Sequence, residues 1–260
     1  MGQITPPPVV LVIAGNDPSG GAGLAADIQA ISAAGAHPAP VVAALTVQDS
    51  TDVSRVQAVD AALVVEQARA VLGDMPVAAV KLGLLADADV GRAVAKLLKA
   101  YPRLPLVIDP VLAASGGGRL AADALLEVYL QELFPLASLV TPNAAESRRF
   151  APGAPDAAAR ARSLLAAGAR YALIKGGDEA SPEVHNHLFG PDGFHEKLVW
   201  PRLPGHYHGS GCTLASAIAA RLALGCGVPE AVKDAQRYTF EALQRGWQLG
   251  RGQRIPGRQT

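Results

Sequence analysis

The sequence predicts an α/β fold in which a central, mostly parallel, doubly wound sheet carries helices on both faces, giving three αβα layers. Short apolar runs recur along the chain without every-second-residue alternation, as in strands covered on both faces. Segments of helical period separate these runs, which implies right-handed strand–helix–strand crossovers. Half of the 260 residues are hydrophobic and 18% are charged, enough to bury a sizeable core.

In chain order, the expected strands are residues 9–14, 41–47, 78–82, 106–109, 138–140 and 171–174, each apolar and bounded by polar or turn residues. A helix over 60–72 has Asp60 as N-cap and Gly73 at the position after its end. Further helices are expected over 87–98, 121–133, 156–167 and 215–224. A last one opens near Pro229, which suits a first turn, and runs toward Leu243. Around residues 189–200 the texture changes. Gly190-Pro191-Asp192-Gly193 is a turn between β-like runs, so an antiparallel hairpin is expected there. With no linker or repeat in the chain, residues 1–260 read as one domain, with 1–8 and 250–260 as flexible tails.

Charge excludes some functions. Twenty-three basic residues balance 23 acidic ones, so nucleic-acid and membrane-surface binding are not expected. Cys212 and Cys226 are too few for a disulfide framework, and no apolar run approaches the roughly 18 residues that span a bilayer. A soluble, cytoplasmic protein is the expectation.

In such a sheet, ligands bind beyond the carboxyl ends of the strands. The most informative residues there are His208-Gly209-Ser210-Gly211-Cys212-Thr213, ahead of an apolar helix. A helix start offers unpaired N–H groups and positive potential to an anion, and the same field favours a cysteine thiolate. The same residues also suit a plain helix start, with Ser210 as cap and Cys212 as a small buried apolar residue.

The first strand leads into Gly15-Asn16-Asp17-Pro18-Ser19-Gly20-Gly21-Ala22-Gly23. Without a Gly-Lys-Ser/Thr ending this is not a lysine-bearing phosphate loop. Gly21-x-Gly23-x-x-Ala26, with Asp49 after the second strand, matches a dinucleotide fingerprint, but Asn16 to Gly20 intervene. A glycine-rich loop closing over a small polar substrate is the better reading.

Gln48 places an amide at the second strand's end, able to donate and accept toward a heteroaromatic ring or, taken alone, to stand as a solvated loop residue. Asp109 ends the fourth strand. Asn143 and Glu146 after the fifth form a capping box, and Asp109 with Glu146 can also converge as Mg²⁺ ligands. Lys175 ends the sixth, placed to neutralise phosphate or to stand exposed before a turn. His206-x-His208-x-x-x-Cys212 has zinc-ligand types but no complementary pair elsewhere, and His185 and His187 fall on the hairpin surface.

Taken in order, these motifs, with Ala44-Leu45-Thr46-Val47-Gln48, Lys81-Leu82-Gly83-Leu84-Leu85, Ile108-Asp109-Pro110-Val111 and Lys175-Gly176-Gly177, carry a family likeness. Over residues 9–245 the chain resembles the hydroxymethylpyrimidine/phosphomethylpyrimidine kinases, of the ribokinase-like superfamily. The resemblance implies ATP- and Mg²⁺-dependent phosphorylation of 4-amino-5-hydroxymethyl-2-methylpyrimidine and its monophosphate in thiamine biosynthesis, by a homodimer. It implies a pyrimidine site of Gln48, Ala22, Gly23, Asp27 and Val111, and a nucleotide site of Asn143, Lys175, Gly176, Gly177 and Thr213. It implies Asp109 and Glu146 near the metal, through water. Gly209, Ser210 and Gly211 form the anion hole and Cys212 is the base. Pyridoxal kinase is the alternative with the same fold and base. A nicotinamide-nucleotide hydrate dehydratase and a non-catalytic pyrimidine binder lie further off. Asn16, Leu84, Ala113-Ala114-Ser115-Gly116, His206-Tyr207 and Ser210 depart from the family pattern and allow an altered substrate range.

Overall fold

In the computed structural model, which describes residues 5–112 and 123–259, the strand β1 (Val9–Asn16) runs through the middle of the sheet. Leu11 and Ile13 enter one core layer, Val10, Val12 and Ala14 the other. Both faces of the strand are covered, which is why its sequence is continuously apolar.

The other strands are β2 (His37–Gln48), β3 (Val53–Ala58), β4 (Val77–Leu82), β5 (Leu106–Ile108), β6 (Leu139–Val140), β7 (Ala172–Ile174), β8 (Glu183–Phe189) and β9 (His195–Pro201). They form one nine-stranded sheet in the order β3-β2-β1-β4-β5-β6-β7-β8-β9. The run from β2 to β7 is parallel, while β3 at one end and β8 and β9 at the other are antiparallel. The chain leaves β1 first to one side and then to the other, so the switch point lies between β1 and β4.

On one face pack α1 (Gly23–Ala33), α7 (Ser210–Ala223) and α8 (Val228–Gln244). The opposite face holds α2 (Ala61–Asp74), α3 (Ala88–Leu98), α4 (Asp123–Val128), α5 (Ala144–Phe150) and α6 (Ala157–Ala166). Asp60, Asp87, Asn143 and Asp156 cap four of these helices, each accepting the N–H three residues on. Among the described residues, no helix is long and apolar enough to cross a membrane.

Several boundaries differ from expectation for physical reasons. β2 begins at His37, not residue 41, although Pro38 and Pro40 lie in it. The His37 N–H donates to Pro8, so odd-numbered residues direct their N–H toward β1, and the prolines direct their missing donors to the side β3 does not reach. β3 was not expected because it is half polar and exposed. Gly73 lies inside α2, which ends at Asp74 with Met75 as its C-cap. The expected helix over 121–133 begins among residues not described. It continues past α4 through a wider turn (Tyr129–Leu133) and a tighter one (Phe134–Leu136). α1 occupies a stretch for which the sequence predicts no helix, and α7 starts at Ser210 rather than 215.

Residues 250–259 are not a loose tail. Trp247 and Ile255 exchange backbone bonds of 2.9 Å, Arg254 pairs with His206 and His208 at 2.8 Å, and Arg258 is 1% exposed. The backbone edge at residues 206–208 takes up the chain end as a partner, satisfying groups that would otherwise need water. Val9 opens the sheet at the other terminus.

Candidate active site

A cleft of about 1260 Å³ opens over the carboxyl ends of the parallel strands. Ala22, Gly23, Gln48, Val111, Asn143, Glu146, Lys175, Gly177 and Gly209 to Cys212 all line it.

Two helices begin together at its floor. Gly23 starts α1 with a φ of +53°, and a Cβ there would stand 2.3 Å from the Gly15 carbonyl oxygen. Gly209 precedes α7 in the left-handed region (φ +69°), and a Cβ on it would stand 2.1 Å from the Gly21 oxygen. Only glycine fits either position. Gly209, not Ser210, is therefore the N-cap of α7, and no side chain caps that helix. The Gly23 amide lies close enough to the Cys212 thiol to favour its thiolate, so two helix starts meet near one sulfur.

The first loop is braced from within. Asp17 is buried, accepts the N–H groups of Ser19 (2.8 Å) and Ala22 (2.7 Å), and meets His208 Nε2 at 2.8 Å. Burial raises its pKa, but the bonds to His208 and Ser19 outweigh that and hold it below the usual range. This commits His208 to Asp17, away from a zinc set with His206. Asp49, far from reading a ribose, closes the turn between β2 and β3 by accepting from Thr51 and Asp52.

Gln48 donates to Thr46 Oγ1 at 2.7 Å, and Thr46 in turn donates to the Asn16 carbonyl at 2.9 Å, so the amide is oriented at the strand end. Asp109 accepts from Lys175 (2.7 Å) and Thr141 (3.1 Å). Burial opposes the charge on Asp109, yet Lys175 and Lys81 hold its pKa low. The Asn143–Glu146 capping box forms as expected, with bonds of 2.8 and 2.7 Å. Burial raises Glu146 to about 7; Lys175 pulls it down, while Asp109 pushes it up. A Cβ on Gly211 would lie 3.0 Å from Lys175 Nζ and 3.4 Å from Asp109 Oδ2, which places the α7 start against this cluster.

Three expected site residues lie behind the cleft wall instead of on it. Asp27 is fully buried, bonded to Lys81 (2.8 Å) and Ser216 (2.7 Å). Thr213 is fully buried and donates to the Gly209 carbonyl at 2.8 Å. Gly176 donates to Asn186 at 3.0 Å and packs against the His185 backbone. The helix field does not produce a low-pKa cysteine either. Burial pushes Cys212 up to about 11; Lys81 lowers it, while Asp27 and Asp109 raise it.

Lys81 is the site residue that sequence reasoning passed over. Burial disfavours its charge, but Asp27, Cys212 and Asp109 keep its pKa above the usual lysine range. A lysine at the end of the apolar strand β4 was the available signal. Residues 113–116, one of the noted departures, lie outside the described residues. Leu84, another, packs against Gly15 at the cleft.

Helix starts and lysines give the floor positive potential where phosphates would lie, beside carboxylates suited to a hard cation. Such a floor at the switch point of a doubly wound sheet defines a small-molecule phosphotransferase of the ribokinase-like class. The family profile described as phosphomethylpyrimidine kinase matches residues 17–256. The chain is 40% identical over 252 residues to the hydroxymethylpyrimidine/phosphomethylpyrimidine kinase of Streptomyces coelicolor, covering 95% of this chain and 92% of that one. It is 41% identical over 248 residues to a thiamine biosynthesis bifunctional protein of Geobacter sulfurreducens, covering 94% of this chain but 50% of that protein. The chain thus spans about half the length of the bifunctional relative. An ADP complex of Bacillus subtilis pyridoxal kinase superposes with a TM-score of 0.86 at 25% identity, covering 96% of each chain. The chain belongs to the phosphomethylpyrimidine kinase family.

Proposed function

We propose that the chain transfers the γ-phosphoryl group of ATP to the hydroxymethyl oxygen of 4-amino-5-hydroxymethyl-2-methylpyrimidine, and then to the phosphate of the monophosphate formed, in thiamine biosynthesis. The observation that carries this is Cys212. It lies in the first turn of α7 beside Gly23 at the start of α1 and lines the same cleft as Gln48 and Gly177, while its neighbour Gly211 lies against Lys175. An alcohol held against Gln48 and a triphosphate held against Lys175 and Gly177 would share that cleft.

In this reading Gln48 presents its amide to the aminopyrimidine, and Ala22, Gly23 and Val111 shape the ring's pocket. Lys175 and Gly177 take the nucleotide phosphates, with Asn143 beside them. Asp27, Gly176 and Thr213 act through the residues they hold. The unpaired N–H groups at the start of α7 receive the charge on the transferring phosphoryl oxygens.

The donor set fits Mg²⁺. Glu146 is pushed up to about 7 by burial and, against the pull of Lys175, by the neighbouring Asp109 carboxylate, so the two carboxylates lie close together. Two carboxylates, with water and phosphate oxygens, are what this ion takes. When bound, it would neutralise charge on the phosphates between which the bond breaks.

As the acceptor oxygen bonds to Pγ, the bond from Pγ to the bridging oxygen breaks and ADP leaves. Cys212 orients the hydroxyl and, in the fraction present as thiolate, accepts its proton. Lys81 and the two helix starts favour that fraction while burial opposes it. An ATP-consumption screen over hydroxymethylpyrimidine, its monophosphate and pyridoxal, with product masses measured, tests the proposal. It expects turnover with both pyrimidines. Turnover with pyridoxal alone would replace this reading by that of a pyridoxal kinase.

We also propose a homodimer. It is supported by Leu45 and Val47, which stand 50% and 58% exposed on β2. A mass of one chain by light scattering would refute it.

A further inference from the structure

Near the C-terminus lies a buried cation with no acidic group in ion-pair contact. Arg258 is 1% exposed, and among the described residues no carboxylate lies within ion-pair distance of its guanidinium. Oxygens of three separate segments hold it instead. Nε donates to Thr213 Oγ1 at 2.8 Å, in the first turn of α7. One terminal nitrogen donates to the Gly21 carbonyl and, at 3.5 Å, to that of His208. The other reaches Gln29 Oε1 at 3.3 Å and the Gly20 carbonyl at 3.5 Å.

The arginine is brought there by a fixed chain end. The Arg258 carbonyl accepts from the Tyr238 hydroxyl at 2.8 Å, and the Gly257 N–H donates to Ala242 at 2.9 Å, both on α8. Thr213 passes the contact on, donating to the Gly209 carbonyl at 2.8 Å. That carbonyl belongs to the left-handed residue from which α7 starts. Holding it inward fixes the peptides whose N–H groups face the cleft.

Burying a guanidinium whose nearest carboxylates, Asp27 and Asp17, stay beyond ion-pair contact is costly, and a methionine or leucine would fill the space without that cost. What such residues lack is a fork of donors and a permanent charge. We propose that Arg258 is a positioning residue for phosphoryl transfer: its guanidinium locks the Gly20–Gly21 loop to the start of α7 and sets a fixed positive charge beneath the anion-binding turn. The charge acts where negative charge gathers in the transition state, so it supports turnover more than ground-state binding. The proposal rests on the phosphotransferase reading above and goes beyond it, since it brings the C-terminal strap into the site.

The test compares Arg258→Met, which keeps the stem but removes charge and donors, with Arg258→Lys, which keeps the charge. Circular dichroism checks folding, and the wild type is assayed in parallel. In Arg258→Met, kcat should fall about 10- to 100-fold while KM for ATP and acceptor stays within about threefold. Arg258→Lys should recover a substantial part of the loss. Guanidinium chloride at tens of millimolar, far below denaturing concentrations, should restore turnover to Arg258→Ala. A substrate-free readout separates the two hypotheses. Alkylation of Cys212 by iodoacetamide, followed by peptide mass, should slow severalfold in Arg258→Met and less in Arg258→Lys.

If the wild type phosphorylates none of the candidate acceptors, the functional reading fails, and the alkylation rates still decide the role of Arg258. Equal losses in the Met and Lys variants without guanidinium rescue, or unchanged kcat and alkylation in both, would overturn the proposal. So would loss of folding in both variants, which would make Arg258 a residue of the fold alone.

Discussion

At the scale of single residues, Cys212 shows how a motif can be legible while its electrostatics are not. The Gly-Ser-Gly-Cys run before an apolar helix reveals a helix start in sequence, and a helix start favours a thiolate. Burial is invisible in one sequence, and here it outweighs the pull of Lys81, raising the thiol to about 11. The sign is then fixed. Below that value each pH unit multiplies the thiolate fraction tenfold, so the logarithm of the Cys212 alkylation rate should rise with unit slope from pH 7 to 9.5 without a plateau. A rate that bends over between about pH 8.5 and 9 would show an ordinary thiol. Cys212→Ala should lose about 10² to 10⁴ in kcat while ATP still binds, and near wild-type turnover would remove Cys212 from the mechanism. Gln48→Ala should raise KM for the pyrimidine with less change in kcat. An unchanged KM would place the ring elsewhere. Asp27 and Thr213 lay beyond sequence reasoning for another reason: their place in the motif is readable, but whether a side chain faces the cleft or the core depends on what packs behind it. Both face inward, Asp27 onto Lys81 and Thr213 onto Gly209.

At the scale of elements, strands buried on both faces and helices with acidic or amide caps were readable, because apolarity and capping are local. What escaped were the elements defined by their neighbours. The exposed strand β3 exists because β2 offers an edge, and β2 tolerates its prolines only because that edge is unpaired beside them. The starts of α1 and α7 likewise depend on their contact with each other. Gly209→Ala forces a side chain into a left-handed residue, at about 1–2 kcal/mol, and drives its Cβ against the Gly21 oxygen. Chemical denaturation should show at least that loss, with kcat falling as well. Full stability and activity in the variant would mean the turn is free to adjust.

The Asp17–His208 contact ties the same two loops and makes their stability pH-dependent. Asp17 has a folded pKa below its ordinary value. Its contribution is therefore present above the unfolded value near 3.8 and is lost as pH falls through the lower folded value. Asp17→Asn should be less stable than the wild type by about 2–3 kcal/mol at pH 7, and the gap should narrow below pH 4. A gap that persists there would assign the loss to packing and not to charge.

At the scale of the whole molecule, the sheet's switch point sets the order of events. The cleft's volume of about 1260 Å³ exceeds the roughly 300–1,000 Å³ that one small ligand needs. Gln48, Cys212 and Lys175 all line the cleft, so under the proposed reading both substrates have room at once and the phosphoryl group need not rest on the protein. The Cys212 thiol is held mostly protonated, a poor nucleophile toward phosphorus at neutral pH. Direct transfer within a ternary complex follows. Initial rates measured against both substrates should give intersecting double-reciprocal lines, and protein quenched during turnover with γ-labelled ATP should carry no label. Parallel lines with label on the chain would demand a covalent intermediate. The electrostatic assignment of Cys212, and the use of α7's first N–H groups for a phosphoryl group in flight, would then both have to be abandoned.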